Sequence, residues 1–169
     1  MRLAIATVCG LGLIPGAPGT WGSLPPLALA IAFAWSGCSP AILFGSLLLL
    51  AIIASLATLA LAPWYTSHFG KEDAPQVVCD EVAGQSIALL GMAWLAPGDQ
   101  VWPWVGLALL AFVLFRVFDV LKPGFIGSSQ RLPGGLGVLV DDLLAGLAAG
   151  GVVFIATPGL LSFLYGPGS

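Results

Sequence analysis

Apolar runs of bilayer length, broken by short stretches rich in glycine, proline or charge, set the rhythm of this chain. Leu3 to Ile14 is apolar or small throughout but only twelve residues long, too short to span a bilayer, and predicts an interfacial or partly inserted segment. Pro15 to Pro26 follows, and its glycine and proline density predicts a tight, shaped loop with no regular element. Leu27 to Trp35 then runs to a turn at Gly37–Pro40, a short crossing at best. Ala41 to Ala62 is an unbroken span of twenty-two residues. Beyond Pro63 lies the most polar stretch, WYTSHFGKEDAPQ. There Asp73 as a cap and Pro75 in the first turn predict a helix from Ala74 to about Leu95. Pro97-Gly98-Asp99 breaks the chain, Pro103 to Leu121 makes the next span, and Pro123-Gly124 stops it. Leu136 to about Ala156 is the last span, and Gly159 to Ser169 a weak tail. The expected fold is all-α: a polytopic membrane helix bundle with about five membrane-inserted helices and an interfacial N-terminal segment, one domain over 1–169.

Composition agrees with that pattern. The 169 residues are 59% hydrophobic and 8% charged, against roughly 25% charged in soluble domains. Their mean hydropathy is +1.04. A soluble chain of this size cannot hide so much apolar surface, so part of its solvent is lipid. The net charge of −3 and the lack of a basic run give no reason to expect nucleic acid. Cys9, Cys38 and Cys79 are too few and too scattered for a disulfide framework or a zinc site and are read as inert. The N-terminus has a single Arg as its charged start and no clean small-residue cleavage site, and is expected to be retained.

Against this background the acids stand out. Asp141 and Asp142 lie inside the apolar run VLVDDLLAGLAAG, Asp80 and Glu81 inside QVVCDEVAGQ, and Asp119 inside FRVFDVLKP. A bare carboxylate in a low-dielectric medium is costly unless paired, protonated or bound to a cation, so an acid at such depth marks a site. Arg2, Lys71, Lys122 and Arg131 fall in the N-terminal segment and alternate loops, which places the N-terminus in the cytoplasm and the C-terminus outside after five crossings. All five acids then lie within about two turns of cytoplasmic helix ends.

Oxygen ligands without histidine or cysteine companions suit Mg²⁺ or Mn²⁺. Near the cluster five acids face three bases, Arg116, Lys122 and Arg131, an excess of two negative charges that one divalent ion balances. Adjacent acids diverge by about 100° on a helix, so one of each pair is expected to be a ligand. The candidate ligands are Glu81, Asp141 and Asp142, and the candidate catalytic acids are Asp80, Glu81, Asp119 and Asp142. Basic neighbours at a membrane surface suit a phosphorylated lipid headgroup. Arg116, Lys122 and Arg131 are candidate phosphate clamps, with Thr20, Ser23 and the backbone of the Gly134–Gly137 turn as further anion contacts.

Four motifs stand in order: APGTWGSLPPL (Ala17–Leu27), VVCDEVAGQ (Val77–Gln85), FRVFDVLKPGFI (Phe115–Ile126) and GGLGVLVDDLLAG (Gly134–Gly146). Together they resemble the phosphatidylglycerophosphatase A family of bacterial inner-membrane lipid phosphatases. That resemblance implies Mg²⁺-dependent hydrolysis of phosphatidylglycerophosphate to phosphatidylglycerol and phosphate. Asp80, Glu81, Asp119, Asp141 and Asp142 would build the site at the cytoplasmic face, with Arg116 and Lys122 beside them. Gly124-Phe125 departs from the pattern, which usually has another proline after Lys-Pro. A phosphatase for another lipid phosphate monoester is the near alternative. A cation-coupled transporter is the rival from another class, but it calls for acids near the midplane and an inverted repeat, and neither is found here.

Plainer readings cover the other polar and aromatic residues. Asp73 and Asp99 are expected to be caps, His68 a surface residue, and Gly146-xxx-Gly150 a helix-packing motif. Trp94, Trp102 and Trp104 are expected to form an interfacial belt.

Overall fold

Among the described residues, three helices are long and apolar enough to cross a membrane: Pro40–Phe69, Val101–Leu121 and Gly135–Leu160. The computed structural model describes residues 1–94, 101–129 and 132–165, all of it helices and connecting turns. In chain order these are α1 (Arg2–Ala6), a 3₁₀ turn (Leu11–Leu13), α2 (Pro18–Ser36), α3 (Pro40–Phe69), α4 (Cys79–Ala93), α5 (Val101–Leu121), α6 (Phe125–Ser129) and α7 (Gly135–Tyr165). The expected break at Asp99 lies outside the described residues.

The all-helical expectation holds, while the expected five membrane helices reduce to three of spanning length and composition. Helix α4 has fifteen residues, about 22 Å at 1.5 Å per residue, short of a hydrocarbon core of about 30 Å. Eleven of those residues are buried, so α4 is the axis of the bundle and not a lipid-facing rod. It packs against α2, α3, α5 and α7.

Three boundaries differ from expectation for physical reasons. The Gly/Pro stretch predicted to be a loop is the first half of α2. Pro18 opens the helix, where its missing N–H costs nothing, and Pro25 and Pro26 lie inside it. Membrane bundles tolerate interior prolines because neighbouring helices and hydroxyl side chains satisfy the freed backbone groups. Pro63 likewise lies within α3 and does not end it. Helix α4 begins at Cys79 with Val78 in the cap position, not at Ala74. Residues Ala74–Val77 form a turn, closed by Val77 N–H donating to the Ala74 carbonyl at 2.9 Å. Asp73 is therefore not the cap of α4, and Asp80 is the second residue of the helix.

Helices α2, α4 and α7 start at one end of the bundle, and α3 and α5 finish there. Gly19 of α2 faces Glu81 of α4 and Arg116 of α5. Thr58 of α3 donates to the Cys79 sulfur at 3.2 Å. The N-terminal segment closes the same end, with the Val78 N–H donating to the Ala6 carbonyl at 2.9 Å.

Contact between α4 and α7 depends on absent side chains. A Cβ on Gly146 would overlap the Gly84 carbonyl oxygen, and one on Gly91 would overlap that of Gly150. On Gly84 it would meet the Asp142 carbonyl oxygen at 2.6 Å. The predicted packing role of Gly146 thus has a named partner.

The aromatic belt is only partly as expected. Trp94 packs at a tilt against Phe44 (4.6 Å between centroids) and Trp102 meets Trp35 edge-on (5.7 Å), both exposed. Trp104 instead is buried in the core.

Candidate active site

The acids predicted from three separate segments meet at the end where α2, α4 and α7 begin. Carboxylate oxygens of Glu81, Asp119 and Asp142, one from each of α4, α5 and α7, lie within 4.8 Å of one another. Asp119 and Asp142 are buried and Glu81 is half-buried. A cavity of about 250 Å³ opens onto them. It is lined also by Asp80, Asp141, Arg116 and Lys122, with Ala17–Gly19 of α2 forming one wall.

Arg116 ties two of the acids together. Its Nη1 donates to Glu81 Oε2 and lies 2.9 Å from Asp119 Oδ2. The latter pair is spaced i, i+3 on α5, as the sequence suggested. Gly19 is required beside them, because a Cβ there would overlap Glu81 Oε1 and approach Arg116 Nη1 to 2.8 Å.

Asp141 is placed differently from its neighbour. Its Oδ2 accepts from Lys122 Nζ, while Asp142 turns toward the trio. Of the expected ligands, Glu81 and Asp142 lie together with Asp119, while Asp141 is in an ion pair with Lys122. Lys122 also lies 4.0 Å from Asp119 Oδ1. Burial pulls the Lys122 ammonium toward deprotonation. The Asp141 hydrogen bond and the charges of Asp141, Asp119 and Asp142 outweigh it and hold the group above the usual lysine range, so it stays charged. Its backbone sits in the left-handed region (φ 45°), a conformation costly for a side-chain-bearing residue, just after α5 ends. Gly124 is left-handed too (φ 55°).

Asp80 belongs to neither group. It is buried, lines the cavity, and its Oδ1 accepts the Glu81 N–H at 3.0 Å.

The other expected anion contacts fare unevenly. Thr20 and Ser23 are on α2 and neither lines the cavity. Ser23 is fully buried and donates to the Gly19 carbonyl at 2.7 Å, so its proton is committed to the helix. Arg131 lies outside the described residues. The Gly134 N–H, offered by the sequence to phosphate, donates to Glu72 Oε2 at 3.2 Å.

Two residues near the site had been given no part in it. Asp73, read from sequence as a cap, lines the main cavity and a neighbouring one of about 230 Å³ that also involves Glu72 and Gly134. Gln85 is fully buried one turn beyond Glu81 and has no hydrogen-bond partner among the described residues. Its place in the VVCDEVAGQ motif was the one available signal.

All donors of the trio are carboxylate oxygens, and two cations, Arg116 and Lys122, stand against six acids around the cavity among the described residues. That donor set and that charge deficit fit a hard divalent cation.

Similarity to known proteins converges on the same chemistry. The sequence pattern of the family described as phosphatidylglycerophosphatase A matches residues 4–157. A protein from Haemophilus influenzae named phosphatidylglycerophosphatase A is 36% identical over 152 residues, covering 89% of this chain and 85% of its own. One of the same name from Escherichia coli is 30% identical over 154 residues (89% and 80%). A protein from Bacteroides thetaiotaomicron, provisionally named a phosphatidylinositol-3-phosphatase, is 35% identical over 147 residues, 87% of each chain. No solved structure matches significantly. With its four motifs gathered around one acid-lined cavity and its similarity running nearly end to end, the chain belongs to the phosphatidylglycerophosphatase A family, and so to the phosphoric monoester hydrolases.

Proposed function

We propose that this protein hydrolyses phosphatidylglycerophosphate to phosphatidylglycerol and inorganic phosphate, with Mg²⁺ as cofactor. The observation that carries the proposal is the carboxylate trio from three helices, flanked by Arg116 and Lys122, at the mouth of a bundle with three spanning helices. Glu81, Asp119 and Asp142 would hold the cation. Bound there, it supplies charge neutralisation for the phosphoryl oxygens.

The chain's own residues do the rest. Arg116 spends one nitrogen, Nη1, on Glu81 and Asp119, which leaves its other N–H groups for phosphate oxygens. Lys122, kept charged by Asp141, offers a second positive group at the rim. Asp80, outside both the trio and the Asp141–Lys122 pair, is the base we assign to the proton of the attacking water. As water adds to phosphorus, the bond to the glycerol oxygen breaks, and the proton taken up by Asp80 passes to that oxygen so that the lipid departs as an alcohol.

The site is assigned to the cytoplasmic side of the bacterial inner membrane. Arg2, Lys71 and Lys122 mark that end, and the sequence of the opposite loops, 36–40 and 94–100, contains no Lys or Arg.

The test is phosphate release by purified protein across a panel of phospholipid monoesters in mixed micelles. The expected result is turnover of phosphatidylglycerophosphate well above every other lipid. A preference for phosphatidylinositol 3-phosphate would instead favour the second reading, raised by the name of the Bacteroides relative.

A further inference from the structure

Gln85 is a buried polar side chain that the proposed mechanism leaves unused. It is 0% exposed, and neither its Oε1 nor its Nε2 has a hydrogen-bond partner among the described residues. A fully buried amide with nothing to bind is costly, and an apolar side chain of similar volume would serve packing better. Packing therefore does not explain it.

Its position does. Gln85 follows Glu81 by four residues and sits on the same face of α4, one turn further into the bundle. That face looks into the groove between α2 and α5. Glu81 is held there against Gly19 and Arg116, and Leu89, one turn beyond Gln85, shares a core cluster with Leu27 of α2 and Ala111 of α5. Glu81 Oε2 accepts from Arg116, whereas Oε1 has no hydrogen bond among the described residues.

We infer that Gln85 is a positioning residue for Glu81. Its Nε2 donates to Glu81 Oε1 through one buried water and fixes the carboxylate facing Asp119 and Asp142. The inference rests on the proposed cation-binding role of that trio. Groups that orient a metal-binding carboxylate without touching the metal typically matter about 10- to 100-fold in affinity or activity.

The test is a double-mutant cycle on the purified full chain with Gln85→Met, Glu81→Gln and the pair. Each protein is read by melting temperature as Mg²⁺ is titrated, without substrate, and separately by phosphate release. Gln85→Met is expected to melt at or above the parent without cation, since an unpaired amide is gone. It is also expected to need at least ~10-fold more Mg²⁺ for its half-maximal shift. In the Glu81→Gln background the same change should add nothing. A parental Mg²⁺ midpoint in Gln85→Met overturns the inference, as do effects that simply add. A fall in cation-free melting temperature assigns Gln85 to packing and overturns it as well, and Gln85→Leu, shorter and stiffer, repeats that reading independently. Failure of every protein, the parent included, to release phosphate from any lipid would strike the proposed function alone, because the melting shift is read without substrate.

Discussion

Replacing Gly146 with alanine tests whether the α4–α7 seam sets the geometry of the site. The added Cβ would overlap the Gly84 carbonyl oxygen and lie 3.0 Å from the Gly84 carbonyl carbon and 3.1 Å from Ile87 Cβ. The first two obstacles are backbone, so no rotamer change relieves them and the helices must separate. Overpacking of this kind costs about 1–3 kcal/mol. Separation also carries Glu81 on α4 away from Asp142 on α7, and a displacement of about 1 Å at a reacting centre can cost about 100-fold in rate. Gly151→Ala, on the same helix, supplies the control. Nothing lies within 4 Å of its Cβ, and removing a helical glycine there should stabilise by about 0.5–1 kcal/mol. The assay is melting temperature in detergent together with phosphate release. Gly146→Ala should melt several degrees below the parent and lose most turnover, while Gly151→Ala should melt slightly higher and keep it. Parental melting and turnover in Gly146→Ala would refute the claim that this approach holds the two acids together.

Three further outcomes follow from the ion pairs and the sidedness. Lys122→Met removes a cation paired with buried Asp141, and should lower both stability and turnover. Adding Asp141→Leu to it should recover melting temperature but not phosphate release, which circular dichroism melts and kinetics separate. Glu81→Gln, which relieves repulsion among the clustered acids, should melt without cation no lower than the parent yet turn over at least ~100-fold more slowly. In intact spheroplasts a membrane-impermeant maleimide should label Cys38 and spare Cys9. Both are exposed and they lie at opposite ends of the bundle, whereas Cys79 is buried and reports on neither face.

Much of the site was legible because burying charge is expensive. Acids at Asp80, Glu81, Asp119, Asp141 and Asp142 inside apolar runs needed a shared reason, and helix counting put them at one depth. The finer division was not legible. Asp141 and Asp142 point about 100° apart, and only the position of Lys122, thrown across by a left-handed turn, decides which of them faces the trio. The glycines and prolines of α2 misled for a related reason. Turn-forming residues were read as breakers, but Gly19 and Gly22 are there to admit Glu81, Arg116 and Val78, and a packed membrane bundle absorbs Pro25 and Pro26. Asp73 misled in the opposite sense: Asp-x-Pro is a strong local helix-start signal, and the docking of Val78 on Ala6 overrides it. Gln85 carried no local signal beyond its motif, since orphan burial exists only in three dimensions.

The claim that the trio binds a cation for phosphoryl transfer is tested most directly by a Mg²⁺ titration of phosphate release from phosphatidylglycerophosphate, after EDTA treatment, in the parent and in Asp142→Asn. The parent should fall to background with EDTA and recover fully with Mg²⁺. Asp142→Asn, folded by the same melting criterion, should remain at least ~100-fold below it at saturating Mg²⁺, a loss of about 2.7 kcal/mol in transition-state stabilisation. Full turnover by the parent in metal-free buffer, or parental turnover by Asp142→Asn, would contradict the assignment of Glu81, Asp119 and Asp142 as the catalytic metal site.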